Sequence, residues 1–299
     1  MQDKLIARAK ELLSEGKVKK VVGWKKGLFE DDITPALFTT AEELDKDFVF
    51  NKYCKANLSK YLVGITKNIE IAKSTTRMNN TMAKQRDPNA QDAPIPQEVV
   101  LVFLKPADTY SFTQLLKESR ITREDVYAIG VPCQDTLDGG EVCDNCAGKK
   151  PVSCDEYIGV DPNADVAPNT SRMEEVAKLE AMSVEERYNF WRNEFSRCIR
   201  CNACRNVCPA CTCETCVFDN NALYTTQKVA ETDFEENLFH IIRAWHVAGR
   251  CTDCGECSRV CPQNIPLYLL NRKFIKDINE IYGDYQAGAD METKPAMLR

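Results

Sequence analysis

At 299 residues the chain is long enough for about two domains. Its 43% hydrophobic content can fill real cores and excludes global disorder, while a formal charge of −6 and a pI near 5.3 argue against a nucleic-acid partner. No stretch approaches the ~20 apolar residues of a membrane span, and Met1-Gln2-Asp3-Lys4 lacks the apolar core of a signal peptide, so a cytoplasmic protein without membrane insertion is expected.

Residues 4–13 place Leu5, Ile6, Ala9, Leu12 and Leu13 on one helical face, with Gly16 as the stop. Val18–Trp24 reads as a short strand whose flanking lysines form a solvated face. Residues 73–97 are polar, proline-bearing and without periodicity, which predicts a long surface loop or an ordered excursion over a partner surface. From Glu98 the pattern sharpens into a strand at Val99–Leu104, a short helix at Ser111–Ser119 and a second strand at Val126–Val131. Strand, helix and strand in this order predict a βαβ unit with a parallel crossover. Cys133 follows the second strand directly, beyond the carboxyl end where chemistry gathers in open α/β sheets.

A stretch rich in Asp, Asn and Pro, from about Asp161 to Thr170, separates an expected α/β domain over 1–170 from a second domain over 171–299. The capping box Ser183-Val184-Glu185-Glu186 opens a helix that carries Tyr188, Trp191 and Phe195 on one face and runs into Cys198. Phe234–Ala248 and Leu267–Tyr282 read as further helices, so the second domain is predicted to be all-α.

Sixteen cysteines are the outlying feature of the composition. Without a secretory signal they read as metal ligands before disulfides. Two segments share one pattern: Cys198-x2-Cys201-x2-Cys204-x3-Cys208-Pro209 and Cys251-x2-Cys254-x2-Cys257-x3-Cys261-Pro262. Three thiolates on a tight loop can wrap three irons of a cubane, while the fourth cysteine of such a run ligates the other cluster in two-cluster ferredoxins. One [4Fe–4S] cluster is therefore assigned to Cys198, Cys201, Cys204 and Cys261, and a second to Cys251, Cys254, Cys257 and Cys208. Structural zinc sites do not need this proline-terminated run twice.

Two further groups remain. Cys133 with the pair Cys143-x2-Cys146 suits a third cluster, completed by Cys54 or by the nearer Cys154. Cys211, Cys213 and Cys216 suit zinc or another iron–sulfur cluster with one outside donor, His240 or His246. These histidines are six apart, about 240° around a helix, and cannot both face one metal.

The 42 residues between Cys208 and Cys251 include a helical segment, and the region from about Glu185 to Tyr282 resembles the all-helical dicluster ferredoxin of heterodisulfide reductase and succinate dehydrogenase subunits. Over nearly its whole length the chain resembles the iron–sulfur proteins called formate dehydrogenase beta subunits, relatives of the beta subunit of coenzyme F420-reducing hydrogenase. The matching residues are Phe50-Asn-Lys-Tyr-Cys54, Arg123 to Cys133, Cys143-x2-Cys146, Phe190 to Cys198 and Phe239 to Cys251. The resemblance favours Cys54 as the fourth ligand of the third cluster. It implies an electron-relay subunit that passes single electrons between clusters in a hydrogenase or formate dehydrogenase assembly, beside other iron–sulfur or flavin subunits.

One departure matters. Where the family tends to read Lys-Gly-Cys-Asp-Ser-Arg after the first strand of the βαβ unit, this chain reads Lys105-Pro106-Ala107-Asp108-Thr109-Tyr110. The glycine that admits a cofactor to the backbone is gone, which argues against a bound flavin. No phosphate loop, dinucleotide fingerprint or Ser-His-Asp set announces a catalytic residue. The rival readings are a flavin-containing subunit that reduces F420 or another two-electron carrier, and a structural zinc or scaffold protein.

Overall fold

The computed structural model describes residues 1–133, 150–164, 170–219 and 233–293. Helix α1 (Gln2–Ser14) buries Leu5, Ala9 and Leu12, and Gly16 ends it at φ +69°, a conformation glycine adopts without steric cost. Strand β1 (Lys20–Lys26) follows and pairs antiparallel with β2 (Ile33–Phe38). The short helix α2 (Ala41–Asp47) starts at a Thr40/Glu43 capping box. Neither β2 nor α2 was read from the sequence, because their polar and apolar residues follow no sustained period.

The expected βαβ unit is present as β3 (Val100–Leu104), α4 (Pro106–Lys117) and β4 (Val126–Gly130). The two strands pair in parallel, with Val102 opposite Ala128. The helix begins five residues before the sequence suggested, since Pro106 sits at its first turn, where a missing N–H costs nothing. A two-residue β5 (Glu156–Tyr157) pairs parallel with β4, so the described sheet runs β2-β1-β3-β4-β5. Trp24, Phe48, Phe103, Phe112 and Leu101 fill the core beneath it.

The loop expected over residues 73–97 is corrected by the structure. Helix α3 runs from Ser59 to Arg86, and only the segment after it is irregular. Its first half is tied to the core by Leu62, Thr66 and Ile69, whereas Ile71, Met78 and Met82 stay exposed. The second half is held by other forces: ion pairs of Glu70 with Arg77, Lys73 with Asp125 and Lys84 with Asp92, and a return strap in which Asn80 both donates to and accepts from the backbone of Ala93 at 2.9 Å. An apolar period, the signal used to read helices, is absent because this part of the helix packs on little.

Lys105 ties the loop after α2 to the sheet. Its buried ammonium donates to the carbonyls of Cys54, Lys55 and Ala56 at 2.9, 3.0 and 3.0 Å, and pairs with Asp108 at 3.2 Å. Lys105→Met leaves these carbonyls and a buried carboxylate without their donor. We expect it to lower stability by about 2–4 kcal/mol, read as the midpoint of urea unfolding.

From residue 170 onward every element among the described residues is helical: α5 (Glu174–Ala181), α6 (Val184–Ser196), α7 (Ala203–Val207), α8 (Asp233–His246), α9 (Glu256–Arg259) and α10 (Leu267–Tyr282), with short 3-10 turns between. The Ser183/Glu186 capping box opens α6 as read. The two halves meet directly. Ser111 in α4 shares a 2.9 Å hydrogen bond with Thr252, and Arg250 binds Glu118 just past α4. Helix α4 is consequently buried over almost its whole length.

Candidate metal centres

Both cysteine runs fold into the same backbone trace. In the first, Arg200 and Asn202 adopt left-handed φ values of +54° and +59°; in the second, Asp253 and Gly255 do so at +56° and +74°. These are the second and fourth positions after Cys198 and Cys251. Alternating hand turns successive backbone N–H groups inward and makes an anion-binding nest, a form that recurs at iron–sulfur sites. Asn, Asp and Gly accept this conformation readily, while Arg200 bears a cost of roughly 1–2 kcal/mol. Its guanidinium is fixed by Glu236 at 3.2 Å and its N–H points at the Cys198 sulfur at 3.4 Å.

The fourth cysteine of each run is carried away from its own loop by one short helix. Helix α7 leads from Cys204 to Cys208, and α9 leads from Cys257 to Cys261; the two helices pack against each other. Cys261 thereby lines one cavity with Cys198, Cys201 and Cys204. Cys208 lines another with Cys251 and Cys254, and lies within electrostatic reach of Cys257. Each cavity is thus lined by cysteines from both runs.

The surroundings of these thiols suit an anionic metal group. Burial pushes Cys251 up to about 12 and Cys257 up to about 11, and also raises Cys254, Cys198 and Cys204. Metal-free, these thiols hold their protons at neutral pH, and a bound metal would displace them. Cys208 differs: the thiol of Cys211 donates to it and holds it down at about 6. Asn271 donates to the Cys257 sulfur at 3.3 Å. Arg243, buried between the two runs, donates to the Cys204 carbonyl at 3.1 Å.

The sequence did not expose the role of His240. It lines the cavity of the first quartet, stacked on Phe195 with ring centroids 4.3 Å apart. Burial, then the charges of Arg243 and Arg200, lower it to about 3, so the imidazole is neutral. Neither ring nitrogen finds a hydrogen-bond partner among the described residues, nor does Oε1 of Glu236. Donor atoms of Cys198, Glu236 and His240 lie within 4.8 Å of one another. A buried imidazole without a partner, aimed at a thiol quartet, fits a cluster with acceptor sulfurs in that space.

The N-terminal ligand set is only partly in view, because Cys143 and Cys146 lie outside the described residues. Cys133 is exposed beyond β4. Cys54 is buried, donates to the Val49 carbonyl at 3.4 Å and is pushed up to about 11 by burial. Cys154 is pushed up to about 12 by burial and lies beside Gly130, where an added Cβ would stand 3.4 Å from its sulfur. Both candidates for the fourth ligand therefore sit at the carboxyl edge of the sheet.

The segment Lys105–Tyr110 is filled by the chain itself. The Lys105 ammonium is taken up by three carbonyls, and the Asp108 carboxyl is wholly buried, which raises its pKa. Gly288 of the C-terminal segment packs so closely that a Cβ there would stand 1.9 Å from the Tyr110 carbonyl oxygen.

Residues 194–265, the region that holds both cysteine runs, match the 4Fe-4S dicluster domain family. It is 32% identical over 122 residues to the F420-dependent formate dehydrogenase subunit beta of Methanocaldococcus jannaschii, a match covering 40% of this chain and 31% of that protein. It is 30% identical over 145 residues to the F420-dependent formate dehydrogenase 1 subunit beta of Methanococcus maripaludis, covering 44% and 36% respectively. The resemblance to formate dehydrogenase beta subunits is borne out over less than half of the chain rather than nearly its whole length, and the chain spans about a third of the length of these curated relatives. No helix among the described residues is long and apolar enough to cross a membrane.

Proposed function

We propose that the chain is a cytoplasmic electron-relay subunit of a multisubunit formate dehydrogenase or hydrogenase, with an α/β domain over 1–170 and an all-helical dicluster domain over 171–299. The observation that carries this reading is the grouping of cysteines from both runs into two shared cavities. Cys198, Cys201, Cys204 and Cys261 hold one [4Fe–4S] cluster, and Cys251, Cys254, Cys257 and Cys208 hold the other. Cys133, Cys143, Cys146 and Cys54 hold a third in the first domain. Bound clusters supply one-electron steps at potentials set by charge, hydrogen bonds and exposure.

The chain's own residues set those conditions. The Arg200 N–H and the Asn271 amide point at ligand sulfurs, and the neutral His240 offers an N–H to the first cavity. Arg243 places a positive charge between the quartets, and α4 closes the second cavity against water with Ser111, Gln114 and Leu115. Cys201 remains exposed, which opens the first site to a partner. The occupied Lys105–Tyr110 segment, with a buried carboxyl at the helix start, opposes a phosphate-bearing flavin there and disfavours the flavin-enzyme alternative.

The purified chain is expected to accept electrons from dithionite yet oxidise neither formate nor hydrogen. Adding catalytic partner subunits should make the same clusters reducible by substrate, followed by visible bleaching. Turnover of a two-electron substrate by the chain alone would replace the relay reading with the flavin enzyme, and a colourless zinc protein would replace both.

A further inference from the structure

We infer that Cys211, Cys213, Cys216 and His246 form an additional iron–sulfur site, distinct from the two ferredoxin quartets and the N-terminal cysteines; the inference rests on the iron–sulfur reading above. The three cysteines and His246 line one cavity of about 520 Å³ beside the second quartet. The fold separates the two histidines that sequence spacing left open. His240 faces the first quartet, whereas His246, at the last position of α8, faces this cavity.

Three cations from separate elements fix the cysteine-bearing loop. The Lys60 ammonium, from the first turn of α3, donates to the Cys211 carbonyl. Arg205 of α7 grips Asp219 at 2.6 Å and donates to the Cys216 side chain. Arg250 reaches the Thr212 hydroxyl at 3.4 Å. These cations and Arg243 face a group of thiols, the charge arrangement that an anionic thiolate complex requires and that neutral, unliganded thiols do not.

Donor spacing separates a cluster from zinc. A tetrahedral zinc ion with Zn–S near 2.3 Å holds its donors roughly 3–4 Å apart. Among the described residues no three of Cys211, Cys213, Cys216 and His246 come within 4.8 Å of one another, and neither do three cysteines of the ferredoxin quartets. A cubane, whose irons each direct one ligand outward, takes the wider set. The turn Cys208-Pro209-Ala210-Cys211, closed by the Cys211 N–H on the Cys208 carbonyl at 3.1 Å, sets this site directly beside the second cluster.

The test is metal analysis of the full chain after anaerobic reconstitution with ferrous iron and sulfide, with zinc measured in the same samples. Cys213 is exposed, so Cys213→Ser should leave the fold intact. The variant is expected to hold about four iron and four sulfide fewer per chain than the parent, with the ferredoxin-cluster signals unchanged. Loss of one zinc with iron unchanged would overturn the inference in favour of a zinc site, and no loss of either metal would overturn it in favour of free thiols. Parent protein that takes up no iron at all would overturn the relay reading as well. Should Cys213→Ser fail to fold, His246→Gln decides: a changed Mössbauer signature of one cluster supports the site, and an unchanged one overturns it.

Discussion

Cys261→Ser is expected to destroy the cluster held by Cys198, Cys201 and Cys204 while sparing the cluster held by the other cysteines of its own run. The reason is the length of α9. Cys257 lies within this helix and Cys261 just past its end, four residues on, a rise of about 6 Å along a helix. That step carries the chain from Cys257, within electrostatic reach of Cys208, to the first cavity, where Cys261 stands with its neighbours Pro262 and Ile265. Asn264, at φ +50°, then turns the backbone so that Ile265 is buried against the same site. Serine keeps the volume and loses the soft thiolate, so the fold should persist and the ligand field should not. Electron paramagnetic resonance of the dithionite-reduced protein should lose one of two interacting signals, and Cys208→Ser should remove the other. If each substitution damaged only the cluster of its own run, the crossed assignment would be wrong.

The parts of this molecule legible in the sequence are those with a period or a fixed spacing. The βαβ unit, the capped helix before Cys198 and the helices at either side of the second run were readable because burial of one face imposes an apolar repeat. The cysteine runs were readable because ligand geometry imposes spacing. Helix α3 was not legible at all, and its part beyond residue 72 resembled a loop, since its exposed half has no core to face and its supports, such as Asn80 on Ala93, join residues thirteen positions apart. The walls of the metal sites were hidden for a related reason. Ser111 and Gln114 look like ordinary helix residues until α4 is set beside Cys208 and Cys251. His240 and Arg243 are both buried, His240 beside Cys198 and Arg243 among cysteines of both runs, a placement that nothing in their spacing on α8 announces. Neither short-range pattern nor composition carries information about which elements converge.

Arg243→Leu should lower the potentials of both ferredoxin clusters together, an effect no ligand substitution would produce. Burial opposes the charge of this guanidinium, but Cys257, Cys204, Cys208 and Cys211, in the thiolate form a bound metal imposes, outweigh it and hold the residue protonated. Those four cysteines belong to both quartets and to the adjoining cavity, so one charge faces all of them. Each cluster gains negative charge on reduction, and a nearby cation stabilises the reduced form more than the oxidised one. Water screens little at this depth. Removing the cation should shift each equilibrium toward the oxidised state by at least about tenfold, or ~59 mV for one electron. Arg243→Lys keeps the charge and should restore most of the potential while losing the hydrogen bond to the Cys204 carbonyl. Redox titration followed by paramagnetic resonance separates the cases. A shift confined to one cluster, or a loss that lysine does not reverse, would mean that Arg243 acts through packing alone rather than through its charge.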